Sequence, residues 1–142
     1  MPRPIKSRRI EFIPENTGFM PLEKRCGLRE IILKVEELEA MRLKDIEGLS
    51  QEECAEKMMI SRQTFQNIID SARKKVATAL IEGTLLRVHG GHYTMPHCKF
   101  KCRSCGNLYD IQYEQDKRIC PICGDDRVDC SKKKDCCQRN RG

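Results

Sequence analysis

Residues 102–106 and 120–124, CRSCG and CPICG, are two C-x-x-C-G units, with fourteen residues between Cys105 and Cys120. At this spacing each unit forms a tight knuckle that aims two thiolates at one ion, and the glycine relieves the turn. Two knuckles complete a tetrahedral site, so Cys102, Cys105, Cys120 and Cys123 are expected to be metal ligands. Zn2+ is the expected ion, with iron as the alternative for the same ligand set. The intervening NLYDIQYEQDKR alternates Leu108, Ile111 and Tyr113 imperfectly with polar residues, enough for a hairpin between the knuckles. The whole reads as a small β zinc-ribbon-like module, with too few apolar residues to fold without a staple. No histidine lies in the knuckles and no open position is implied, so the site is expected to be structural rather than catalytic.

Four further cysteines remain: Cys98, Cys130, Cys136 and Cys137. They are read as part of a solvated or weakly metal-binding tail ending KKKDCCQRNRG, with a second metal or redox centre that uses His97 as the alternative. His89 and His92 flank Gly90 and Gly91 and are taken as turn residues. Cys26 and Cys54 are taken as buried or free thiols.

A different chemistry sits at SRQTFQNIIDSARKK, residues 61–75. Arginine reads guanine through O6 and N7, and glutamine or asparagine reads adenine through N6 and N7, so Arg62, Gln63, Gln66 and Asn67 are candidates for base contacts. Thr64 suits a thymine methyl or a phosphate. Arg73, Lys74 and Lys75 lie farther along, where a helix leaves a groove and meets backbone. The competing explanation is an ordinary amphipathic helix with polar residues outside.

The elements that must position these residues can be traced in the sequence. From Val35 the register turns helical, with Val35, Leu38, Met41 and Ile46 near one face and Glu36, Glu37, Glu39, Arg42 and Lys44 mostly on the others. Gly48 ends that helix. Ser50 to Glu53 form an S-x-x-E capping box, and Cys54, Ala55 and Met58 supply the buried side of the next helix. The acids there favour the positive end of the helix dipole and need not oppose DNA. Ser61 caps a third helix whose stripe Phe65, Ile68, Ile69, Ala72, Val76 and Leu80 follows a period near 3.6. Ile10, Phe12 and Ile13 suggest a short strand behind a flexible basic arm bearing Arg3, Lys6, Arg8 and Arg9. LLRVHGGHYTM suggests a hairpin about Gly90 and Gly91.

Two short helices separated by about three residues, the second with amides and a guanidinium near its start, fit a helix-turn-helix. The stretch LKVEELEAMRLKDIEGLSQEECAEKMMISRQTFQNIIDSARKKV resembles region four of bacterial sigma factors. MPRPIKSRRIEFIP, EGLSQEECAEKM and LLRVHGGHY together are similar to an uncharacterised prokaryotic family of predicted DNA-binding proteins. The resemblance covers roughly residues 1–95 and implies DNA reading by residues 61–72. The turn position usually filled by glycine in such motifs is Met59 here. Either the turn takes another geometry or it carries roughly 1 kcal/mol of left-handed strain.

Composition bounds the remainder. Among 142 residues there is no tryptophan and a third are charged, so neither half can bury a large core. The expected division is a mainly α helix-turn-helix domain with short β elements over 1–95, and a cysteine-rich module with a basic tail over 96–142. No apolar run reaches membrane-spanning length, and cysteine in C-x-x-C pairs favours metal over disulfides, so a cytoplasmic protein is expected. The net charge of +6 is concentrated at the two ends and suits a polyanion.

These features point to a transcription regulator that binds double-stranded DNA, with a homodimer on paired half-sites as one arrangement. The alternatives are an interaction module for RNA polymerase or another protein, and a metal or redox sensor using the cysteine tail. No nucleophile-base pair, phosphate loop or open catalytic metal set is present, so an enzyme is not expected.

Overall fold

The computed structural model describes residues 3–24, 26–95 and 99–131. They fall into two compact units: Ile10–Gly91, and Met1–Arg9 with His92–Gly142. The elements in chain order are β1 (Arg8–Arg9), β2 (Gly18–Phe19), β3 (Glu30–Leu33), α1 (Val35–Met41), α2 (Gln51–Lys57), α3 (Arg62–Glu82), β4 (Leu85–Val88), β5 (Tyr93–Thr94), β6 (Lys99–Cys102), β7 (Leu108–Asp110) and β8 (Val128–Cys130). Among the described residues no helix is long and apolar enough to cross a membrane.

In the first unit β4 pairs antiparallel with β2 and parallel with β3. A parallel pair needs a long crossover, and the three helices between β3 and β4 supply it. Ser50 accepts from the Glu53 amide at 3.2 Å while the Glu53 carboxylate accepts from the Ser50 amide at 3.3 Å, which starts α2. Ser61 accepts from the Thr64 amide at 3.1 Å and starts α3. Left-handed Gly83 ends α3. The core cluster joins Ala40 and Leu43 to Cys54, Ala55 and Met58 of the second helix and to Phe65, Ile68 and Ile69 of the third.

The sequence reading of α1 needs correction. Glu36, Glu37 and Glu39, expected on solvated faces, are all buried, whereas Ile46 is exposed. Two causes act together. The helix continues beyond Met41 as a π-helical turn, Arg42–Ile46, whose wider spacing rotates Leu43 inward and Ile46 outward. The Glu37 and Glu39 carboxylates, meanwhile, are satisfied. Glu37 accepts from the Lys34 amide at 2.9 Å, the Ser71 hydroxyl at 2.6 Å and the Lys75 ammonium at 2.6 Å. Glu39 takes a two-pronged contact from Arg42 at 2.6 and 3.1 Å and accepts from the Glu11 amide at 2.6 Å. Glu36 lies against Gly91, where an added Cβ would come within 2.6 Å of its Oε1.

Other expectations shift as well. The stripe on α3 is buried at Ala79 rather than Leu80, which is exposed. No hairpin forms about Gly90 and Gly91, because β4 stays in the three-stranded sheet and β5 pairs in parallel with β1. Residues 3–9, expected as a flexible arm of the helical domain, therefore belong with the cysteine-bearing unit. The Ser7 amide donates to Gln112 O at 2.9 Å, and the Glu114 amide to Ile5 O at 2.9 Å.

The turn between α2 and α3 follows the strained alternative. Met59 has φ 56°, the one positive φ at a non-glycine among the described residues. The Ile60 amide reaches back to Ala55 O at 3.0 Å and the Ile60 side chain is buried, so packing imposes the turn.

Two outcomes are expected. Met59→Gly should raise unfolding stability by about 1 kcal/mol, measured by denaturant titration, since the side chain is half exposed and only the left-handed strain is relieved. Glu37→Ala should cost about 3 kcal/mol by the same method, because three donors lose one buried acceptor. A cost below about 1 kcal/mol would show that water replaces the carboxylate.

Candidate metal centre and polar helix face

In the cysteine-bearing unit β6 is the central strand, antiparallel to β7 on one side and β8 on the other. The expected hairpin between the knuckles is absent. Only β7 forms there, followed by a 3-10 turn at Glu114–Lys117, and it folds back onto the strand that precedes the first knuckle. Asp116 explains the break. Its buried carboxylate accepts from the Gln112 and Tyr113 amides at 3.1 and 3.0 Å, turning the chain where a second strand would run. Tyr109 donates to Asp116 O at 2.6 Å and packs beside Phe100. Burial, with the neighbouring Cys120 and Asp116 charges, pushes the Tyr109 phenol up to about 12, so it remains a donor.

Each knuckle closes alike. The Gly106 and Gly124 amides donate to Cys102 O and Cys120 O at 2.9 Å, and both glycines are left-handed. The four expected ligands converge, with all sulfurs of Cys102, Cys105, Cys120 and Cys123 within 4.8 Å of one another. Cys102 and Cys123 are 3.5 Å apart and Cys105 and Cys120 are 3.8 Å apart. A tetrahedral site with metal–sulfur bonds of about 2.3 Å has sulfur–sulfur edges of about 3.8 Å, close to the two shortest separations here, so the cluster is consistent with a four-thiolate ion site.

Donors around the sulfurs complete the fit. The Cys105 amide points to Cys102 Sγ at 3.5 Å, the Ile122 amide to Cys120 Sγ at 3.4 Å and the Asn107 side chain to Cys105 Sγ at 3.5 Å. Such outer contacts orient thiolates and stabilise their charge. Burial pushes the Cys120 thiol up, but the Cys123 and Ile122 amides and the adjacent thiols outweigh it and bring it down to about 7. The Asp125 amide favours the Cys123 thiolate, yet contacts with the Cys102, Cys120 and Cys105 sulfurs, together with burial, push it up to about 12. Close thiols thus share protons unequally, and a bound cation would draw all four to the thiolate form.

Sequence reasoning missed the lock on the second knuckle. The Cys120 amide donates to Asp125 O at 2.8 Å, while Arg127 grips the Asp125 carboxylate at 2.9 and 3.0 Å and holds its pKa well below the usual carboxylate range. The D-D-R after CPICG is the only sequence signal for it. Cys130 lies in β8 and is not in the ligand cluster. Cys98, Cys136, Cys137 and His97 lie outside the described residues. Burial raises the Cys54 thiol, which suits an inert core residue, and Cys26 is exposed.

The polar candidates in the helical unit share one element. Arg62, Gln63, Thr64, Gln66 and Asn67 occupy the first two turns of α3, and Arg73 and Lys74 follow on the same helix. Thr64 and Gln66 are half-buried and the others are exposed. Short-range contacts hold several of them. Arg62 reaches Gln51 at 3.2 Å and Glu52 at 3.4 Å, Gln63 donates to Asn67 at 3.1 Å, and Gln66 donates to Asp70 at 2.8 Å. Arg73 grips Asp45 at 2.5 and 3.3 Å. Exposed pairs of this kind are worth about 0.2–1 kcal/mol each, so an incoming ligand can displace them. Lys75, expected at a phosphate, is instead held by buried Glu37. Arg3, Lys6, Arg8 and Arg9 belong to the other unit, with Arg3 and Lys6 exposed and Arg8 and Arg9 half-buried in or beside β1.

Residues 1–96 match the family described as "Protein of unknown function DUF134", and the chain belongs to that family. Among its relatives, UPF0251 proteins of Clostridium botulinum strains Loch Maree and 657 are each 64% identical over 140 residues, covering 98% of this chain and 89% of theirs. One of Clostridium novyi strain NT is equally similar, with 95% of its length covered. These relatives extend across the four-cysteine unit, which the family match does not reach. No solved structure matches the chain.

The centre makes a direct prediction. Elemental analysis of freshly purified protein should find one ion per chain, and Cys102→Ser and Cys120→Ser should each lose it while helix content stays unchanged by circular dichroism. Purified protein without metal would refute the site.

Proposed function

We propose that this protein binds double-stranded DNA in a sequence-dependent way and acts as a transcription regulator in the cytoplasm. In this reading α2, the Met59 turn and α3 form a helix-turn-helix of the sigma region-four kind, with α3 as the recognition helix. One observation carries it. The first two turns of α3 turn Arg62, Gln63, Gln66 and Asn67 away from Phe65, Ile68 and Ile69, which fix the helix in the core behind them. A guanidinium and three amides on one short face are a base-reading set, and Thr64, Arg73 and Lys74 continue it toward phosphates.

Binding would exchange the Arg62, Gln66 and Arg73 contacts within the protein for contacts to nucleic acid. Asp70 is the one acid in this stretch of α3, and its bond to Gln66 limits its repulsion of phosphate. In the other unit Arg3 and Lys6 supply charge without base discrimination. The four-cysteine module is proposed to hold Zn2+ as a structural ion, with iron the alternative, and to make the protein's second binding surface. The role is one of binding rather than catalysis.

Selection of bound fragments from random DNA, with and without chelator, tests the assignment. A defined motif is expected, and Arg62→Ala with Gln66→Ala should abolish preference for it while leaving the fold intact. Affinity should fall steeply with salt, by about 0.9 log unit per log of salt for each phosphate contacted. Arg3→Ala with Lys6→Ala should weaken all sequences about equally. A salt-insensitive interaction with RNA polymerase, and none with DNA, would favour the interaction-module reading instead.

A further inference from the structure

The end of α3 opposite the polar face breaks the pattern of a solvated helix. Leu80 and Ile81, in its last turn, are 79% and 86% exposed. Beside them lies an open groove of about 460 Å³, with Phe19 and Met20 on its other side and Val76 and Leu86 completing its apolar lining. Phe19 and Met20 are more than half exposed, and Leu22, two residues on, is 80% exposed. Pro21, which also lines the groove, lies 3.6 Å from where a Cβ on Gly83 would stand, an ordinary packing distance. Scattered exposed leucines are ordinary, but a contiguous patch of several hundred Å² marks an interaction site.

We propose that this patch is the interface of a two-fold dimer of the chain. A two-fold interface must be complementary to itself, and this one carries both parts, the protruding Leu80 and Ile81 and the groove beside them. The area is sufficient. Phe19, Met20, Leu22, Leu80 and Ile81, roughly 150–200 Å² each and between 52% and 86% exposed, present roughly 600 Å² per copy, so a pair buries roughly 1,200 Å², the lower edge of stable interfaces. The rim carries both signs, with Glu23 and Glu82 against Lys24 and Arg29, so a copy rotated by half a turn can meet opposite charge.

The placement also suits the reading of α3 as a recognition helix, on which this part of the inference rests. About sixteen residues separate Thr64 from Leu80, or about 24 Å of helix. Half-sites one turn apart lie 34–36 Å centre to centre, so each reading face sits about 17 Å from the axis. A helix inclined by about 45° to a two-fold at its C-terminal end meets that spacing.

Sedimentation equilibrium of the full chain without DNA decides the matter. The native protein should show twice the chain mass, and Leu80→Glu with Ile81→Glu should show the single mass with unchanged helix and metal content. Leu22→Glu, at a separate exposed position, should weaken the dimer at least tenfold. A single mass for the native chain at about 100 µM, or a full dimer in both variants, overturns the proposal. A small apolar ligand or a different protein in the groove would appear as the first of these results. Because the measurement contains no DNA, its outcome is independent of the DNA reading. A duplex with one half-site tests that reading separately, and the monomeric variant should bind it as the native chain does.

Discussion

Glu37 is the constraint on which the helical unit turns. One buried carboxylate closes the start of α1 through the Lys34 amide and holds α3 through Ser71 and Lys75. A buried charge is costly unless its lone pairs are filled, and here two donors from α3 and the backbone amide that starts α1 fill them. The requirement fixes how α1 crosses α3. With that crossing set, Ala40 and Leu43 meet Phe65, Ile68 and Ile69, and the opposite side of α3 is left facing outward. Glu39 serves the segment before β2 in the same way, tying Glu11 to α1 while Arg42 lies 5.9 Å above the Phe12 ring. A chain with few aromatic residues thus uses polar anchors where a larger protein would use more core.

The second unit solves the same shortage differently. Its core contains Cys102, Tyr109, Ile111 and Cys120, with Phe100 and Val128 packed against them, so two ligands are also core residues. So small a cluster offers little packing, and the four converging thiols stand where an ion would join the two knuckles. Asp116 and Asp125 do for the turns here what Glu37 does for the helices, each meeting backbone amides that would otherwise lack partners. The strand carrying Arg8 and Arg9 pairs with β5, so these two basic residues are held in a sheet rather than in a free arm.

Between α2 and α3 the molecule accepts strain. Glycine at position 59 would take the left-handed turn freely, yet methionine stands there with φ 56°. Ile60, Ala55 and Met58 pack around it, and their burial outweighs the roughly 1 kcal/mol involved. The turn aims the first residues of α3, so the angle at which Arg62 to Asn67 are presented depends on packing beneath the turn.

The sequence alone determined the local devices: the four candidate ligands and their knuckle glycines, the Ser50 and Ser61 caps, the glycine stop at 48, and the inner stripe of α3 through Ala72. These rest on spacing within a few residues, where geometry is nearly independent of context. It did not reveal the burial of Glu37 and Glu39, because a charged residue goes inside only when partners from distant segments, here Ser71, Lys75 and the Glu11 amide, are brought to it. Nor did it place Leu80 and Ile81 outside, since periodicity marks a stripe as apolar without saying where the neighbouring element ends. The pairing of β1 with β5 was decided by long-range partners in the same way. Spacing sets chemistry along the chain, and only the folded chain decides which of those groups water still reaches.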